Sequence, residues 1–203
     1  MDIVTHLIDL FLHLDAYLAQ IVNQYGLLTY LILFLVIFCE TGLVVTPILP
    51  GDSLLFAAGA LAASTDLDPW ILFVSLAVAA VLGDAANYSI GRRIGHRAFS
   101  GEVRWLKQEY LDRTRDFYLR HGGKTIFLAR FVPIVRTFAP FVAGVGEMPY
   151  RHFATYNVVG GIVWVGLFVF GGYLFGEIPF VKRNFELVVV GIVLVSVLPA
   201  VVE

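Results

Sequence analysis

Residues 46–63 (TPILPGDSLLFAAGALAA) and 125–146 (TIFLARFVPIVRTFAPFVAGVG) are two apolar stretches, each broken by proline, glycine and charged side chains. The first holds Pro47, Pro50, Gly51 and Asp52. The second brackets Pro133 between Arg130 and Arg136 and runs on through Pro140 to Gly144. Proline and glycine release backbone N–H and C=O groups that hydrocarbon cannot satisfy. At membrane depth such a segment must be buried in protein or line a watery cavity. A re-entrant hairpin is the economical form for each. Composition is what places them in a bilayer: 59% of the 203 residues are apolar and 15% charged, against roughly 45–50% and 25% for a soluble domain. Mean hydropathy is +0.82. A soluble domain of this length could not hide so much apolar surface, whereas lipid accepts it as the outer surface. One membrane domain over residues 1–203 is expected, without a soluble companion.

The remaining pattern reads as helices around these hairpins, an all-α multi-span bundle. Residues 2–22 carry Ile3, Leu7, Leu10, Leu14 and Leu18 on one helical face. Asp2, His6, Asp9 and His13 recur on another, which is read as the solvated face of an amphipathic interfacial helix rather than a metal site. Residues 27–45 form a span with Glu40 inside it. Residues 64–69 make an acidic turn, and 70–90 form the next span, with Asp84 and Asn87 near its far end. Residues 91–124 interleave nine basic with four acidic side chains along an amphipathic stretch. A basic loop of this kind between spans marks the cytoplasmic side and argues against nucleic-acid binding. Residues 153–176 and 187–202 are two further spans. With the basic loop inside the cell, the first hairpin dips from outside and the second from inside, as in an inverted repeat.

An internal echo agrees with that topology. Ala58-Gly59 is followed by Tyr88-x-x-Gly91, and Ala143-Gly144 by Tyr173-x-x-Gly176, at a constant offset of 85 residues. The N-terminus has no basic region or small-residue cleavage site, so a cleaved signal peptide is not expected. Cys39 is the only cysteine, which excludes an intrachain disulfide.

Glu40, Asp52, Asp84, Arg130 and Arg136 are the informative residues, because a charge at the centre of a spanning helix costs about 2.5–3.5 kcal/mol on insertion scales. Five of them imply that they face one another or water. Arginines beside broken backbone suit an anion, since a guanidinium grips phosphate in a fork geometry. Nearby acids can take up protons as burial raises their pKa. That combination belongs to a transporter. No GxSxG elbow, HExxH pair, Walker loop or dinucleotide fingerprint is present, so neither an enzyme nor a cofactor is expected.

Three stretches, CETGLVVTPILPGDSLLFAAGALA (39–62), GDAANYSIGRRIG (83–95) and FLARFVPIVRTFAPFVAGVGEMPYRHFATYNVVGG (127–161), closely resemble the bacterial DedA family, whose VTT-domain relatives in eukaryotes are lipid scramblases. The resemblance implies a multi-pass protein of the bacterial inner membrane with two opposed re-entrant helices. It also implies return of undecaprenyl phosphate across the membrane in a manner linked to the proton motive force. On this reading Glu40 and Asp52 bind the coupling proton and Arg130 and Arg136 hold the lipid phosphate. Asp84, Asn87, Pro50, Gly51 and Pro133 support the hairpins. The expected partners are an anionic lipid, protons and the membrane; no oligomeric state follows. An uncoupled phospholipid scramblase and a non-transporting membrane-organising factor are the alternatives.

Overall fold

The computed structural model describes residues 14–43, 51–99, 122–185, 187–188 and 190–192. Among these every regular element is helical. They are α1 (Leu14–Tyr25), α2 (Leu28–Gly42), α3 (Gly51–Ala62), α4 (Pro69–Phe99), α5 (Lys124–Ala129), α6 (Pro133–Val145), α7 (Tyr150–Phe175) and α8 (Pro179–Arg183). The readings made for residues 2–13, 44–50, 100–121 and 193–202, with Pro47 and Pro50 among them, lie outside the described residues.

Local chemistry sets most of the boundaries. α1 ends where Gly26 takes φ +52° and returns its N–H to the Val22 carbonyl, the left-handed close that glycine adopts without steric cost. α4 starts at a proline, with Asp68 ahead of it accepting from the N–H groups of Trp70 and Ile71 at 2.7 and 3.0 Å. The helix runs on to Phe99, well past the residue 90 where the sequence pattern ends the span, so residues 91–99 continue it. Between α5 and α6 the break falls where proline dictates. Val132 is extended (φ −120°, ψ 105°), as a residue before proline tends to be, and Pro133 occupies the first turn of α6.

Two helices are long and apolar enough to cross a membrane among the described residues: Pro69–Gly95, with mean hydropathy 1.8, and Tyr150–Phe175, with 2.1. At 1.5 Å per residue each exceeds the roughly 30 Å hydrocarbon core. Their outward faces are apolar. On α4, Trp70, Ile71, Val74, Val78 and Leu82 are exposed at helical spacing, while Leu72, Leu76, Ala79 and Ala80 are buried. Such a stripe suits lipid contact.

The chain divides into two compact units. The first comprises residues 1–36, 48–77 and 165–203, and the second residues 37–47 and 78–164. In the first, α3 is buried over nearly its whole length, from Gly51 to Gly59. α3 packs against the last part of α7 so closely that a Cβ on Gly59 would overlap the Val169 carbonyl, and one on Gly172 the Phe56 carbonyl. A Cβ on Gly176 would overlap Ala60. In the second unit α6 packs on α4 the same way. Gly144 meets the Tyr88 carbonyl, Gly91 the Phe141 carbonyl, and Gly95 the backbone of Val145. Small residues that admit backbone to backbone are how helices associate where no water drives them together.

Candidate functional site

The second unit gathers the charged residues. The C-terminal part of α2 comes alongside α4 through glycines, since a Cβ on Gly83 would overlap Thr41 and one on Gly42 would sit 3.3 Å from the Gly83 carbonyl. That approach brings in Glu40 from α2 and Asp84 from α4, each 3% exposed. Asn87 lies one turn beyond Asp84 and is fully buried. Its amide donates to the carbonyls of Thr41 (3.1 Å) and Thr137 (2.8 Å), tying α2 and α6 to α4. The second tie falls in a weakened part of α6, because Pro140 lacks the N–H that would bond the Arg136 carbonyl.

Arg130 and Arg136 enter from the proline break and the first turn of α6, and they are 2% and 6% exposed. Arg136 donates from Nη2 to Glu40 Oε1 at 2.8 Å. Arg130 donates from Nη2 to Asp84 Oδ2 and to Asn157 Oδ1. Asn157 has its own amide nitrogen committed to the Val81 carbonyl at 3.0 Å, which leaves its oxygen for the arginine. Nε and Nη1 of Arg130 have no hydrogen-bond partner among the described residues. They carry three of the five N–H groups of a guanidinium. Buried donors without partners are costly, and far more so on a charged group.

The face of α7 beneath these arginines completes the site. Asn157, Gly160, Gly161 and Trp164 fall at spacing i, i+3, i+4, i+7, one stripe of the helix. A Cβ on Gly160 would come within 3.3 Å of Arg130 Cδ and Nε, so the glycine leaves the room the arginine stem occupies. The Trp164 ring centre is 5.8 Å from Cζ of Arg130 and 4.8 Å from Cζ of Arg136, within cation–π range.

Of the residues singled out in the sequence, Glu40, Asp84, Asn87, Arg130 and Arg136 thus meet in one unit, and Pro133 creates the break beside them. Asp84, read from sequence as a support, is the direct ion-pair partner of Arg130. Asp52 and Gly51 belong to the first unit, where they are buried in the first turn of α3. A carboxylate there is favoured by the helix dipole. Asn157 and Trp164 were not singled out, although their spacing on an apolar helix offered the signal. No three His, Cys, Asp or Glu side chains gather as a metal ligand set among the described residues.

The VTT domain model matches residues 49–174. Protein DedA of Escherichia coli K12 is 58% identical over all of this chain and 94% of its own. An uncharacterised membrane protein of Mycobacterium leprae is 48% identical over 82% of this chain and 75% of its own. Inner membrane protein YghB of Escherichia coli K12 is 37% identical over 76% and 71%. No solved structure matches. The chain belongs to the DedA family of VTT-domain membrane proteins.

Proposed function

We propose that this chain is a lipid transporter of the bacterial inner membrane, a proton-linked flippase that returns undecaprenyl phosphate or a similar anionic lipid. The observation that carries the reading is Arg130, a buried guanidinium held by one nitrogen while three N–H groups have no partner among the described residues. A phosphate, with its several acceptor oxygens, matches those donors better than any single side chain. Arg136, over the same tryptophan, supplies the second cation.

The acids supply the coupling. Glu40 and Asp84 balance the two arginines, so the formal charges of the four side chains cancel. Protonation of Glu40 removes the counter-charge of Arg136 and raises the pull on an incoming anion. Asp52 is the second proton site of the proposal. The two short helices α3 and α6 are read as the re-entrant hairpins of an inverted repeat, and their matching contacts support that reading.

Translocation of a fluorescent polyprenyl phosphate by purified protein in proteoliposomes tests the proposal. Flux should rise with an imposed proton gradient and fall at least tenfold in folded Arg130→Lys and Arg136→Lys proteins, which keep the charge and lose the fork. Unchanged flux in both variants sinks the arginine assignment. Flux of zwitterionic lipids without a gradient turns the reading into an uncoupled scramblase, and no lipid movement at all turns it into a membrane-organising factor.

A further inference from the structure

We propose that Trp164 is a positioning residue for anion recognition, its indole holding Arg130 and Arg136 together as one doubly charged receptor. The inference rests on the anion reading above and adds a residue and a physical device to it.

Two guanidiniums buried against one ring repel one another, and in a low-dielectric interior that repulsion is strong. Their acids relieve it only while the acids stay ionised. Trp164 relieves it in every protonation state. Its ring is fully buried, and both Cζ atoms lie within 6 Å of its centre. Tryptophan has the strongest aromatic quadrupole for a cation, and a guanidinium is weakly enough hydrated to lie over it. Arg130, at 5.8 Å, is also tethered by Asp84 and Asn157, and Arg136, which pairs with Glu40, has the closer approach to the ring at 4.8 Å. The helix supports this placement, because on the same stripe Asn157 holds the guanidinium of Arg130 and Gly160 leaves room for its stem. A phosphomonoester can carry close to two negative charges, so it gains most from two cations held side by side. A phosphodiester carries one and gains less.

The test uses the full chain in detergent with Trp70→Phe and Trp105→Phe, which leaves Trp164 as the only one of the three tryptophans. Dihexanoyl phosphatidic acid is the monoester probe and dihexanoyl phosphatidylglycerol the diester. Phosphatidic acid should shift Trp164 emission saturably and bind at least tenfold more tightly than the diester by calorimetry. In otherwise wild-type protein, Trp164→Phe should stay within about threefold of wild type. Trp164→Leu should lose at least tenfold for phosphatidic acid and much of the preference over the diester. Phosphatidic acid binding without an emission change overturns the inference, as does a folded Trp164→Leu protein with wild-type affinity and preference. If Trp164→Leu does not fold, the emission change alone decides. A wild-type protein that binds neither probe removes the anion reading as well.

Discussion

In the first unit α3 lies on α7, and in the second α6 lies on α4, through corresponding backbone approaches. Gly59 against Val169 matches Gly144 against Tyr88, and Gly172 against Phe56 matches Gly91 against Phe141. Gly176 against Ala60 matches Gly95 against Val145. What the units bury around this shared contact is different. Among the described residues the first buries three polar or charged side chains, Thr29, Asp52 and Ser53. The second buries eight, and both arginine–carboxylate pairs are within it. One packing solution therefore serves two ends. The glycine contacts build a short helix into each unit, and among the described residues the buried arginine–carboxylate pairs belong to the second alone.

Removing a charge from the second unit should have the largest effect. Arg130→Ala leaves Asp84 buried without its cation, at a cost of about 3–5 kcal/mol. Thermal unfolding of purified protein in detergent reads it, and adding Asp84→Ala should recover part of the loss. A double variant no more stable than the single one shows that the ion pair is not what the substitution breaks. The shared contact comes next. Gly59→Ala and Gly144→Ala each drive a Cβ into a backbone carbonyl, which cannot swing aside. Overpacking of this kind costs about 1–3 kcal/mol. Similar losses in both units support the equivalence, and tolerance at one position alone breaks it.

How much of this was legible in the sequence follows from what is local. The α4 and α7 spans are runs of apolar residues, and the break at Pro133 follows from one residue type. The side chain opposite each arginine is not local. Asp84 precedes Arg130 by 46 positions, and Glu40 precedes Arg136 by 96. Charge identifies such residues as candidates, but only helix packing chooses partners. The internal echo and the glycine contacts keep different spacings. The short helices match at an offset of 85, as Gly59 and Gly144 do, but the long helices match at 81, with Gly91 equivalent to Gly172. Four residues are about one helical turn. A slip of one turn presents nearly the same face, so the sequence spacing looked regular while the packing partner had moved. Asn157 and Trp164 were readable as one stripe with Gly160 and Gly161, yet nothing local distinguishes such a stripe from ordinary helix packing.

A smaller effect separates wet from buried acids. Asp68 is exposed and caps α4 in the first unit, so Asp68→Ala should cost about 1 kcal/mol. Asp68→Asn should cost almost nothing, because asparagine caps a helix as well as aspartate does. The same exchange at Asp84 strips the counter-charge from a buried guanidinium and should be strongly destabilising. Equal costs for Asp68→Asn and Asp84→Asn in thermal unfolding contradict the contrast between the units.

The smallest effect is a gain, and it isolates the glycine contact from glycine itself. Gly171 and Gly172 are neighbours near the end of α7. A Cβ on Gly171 meets nothing within 4 Å, while one on Gly172 overlaps the Phe56 carbonyl. Inside a helix, alanine is favoured over glycine by roughly 0.5–1 kcal/mol, because it has less backbone freedom to lose. Gly171→Ala should therefore raise the unfolding temperature slightly, by the equivalent of about 0.5 kcal/mol, and Gly172→Ala should lower it. Both variants change the same residue type on the same helix, one position apart. Propensity acts on both alike, so the difference between them measures the close approach of α3 to α7. Two variants of equal stability remove that approach as the feature common to the two units.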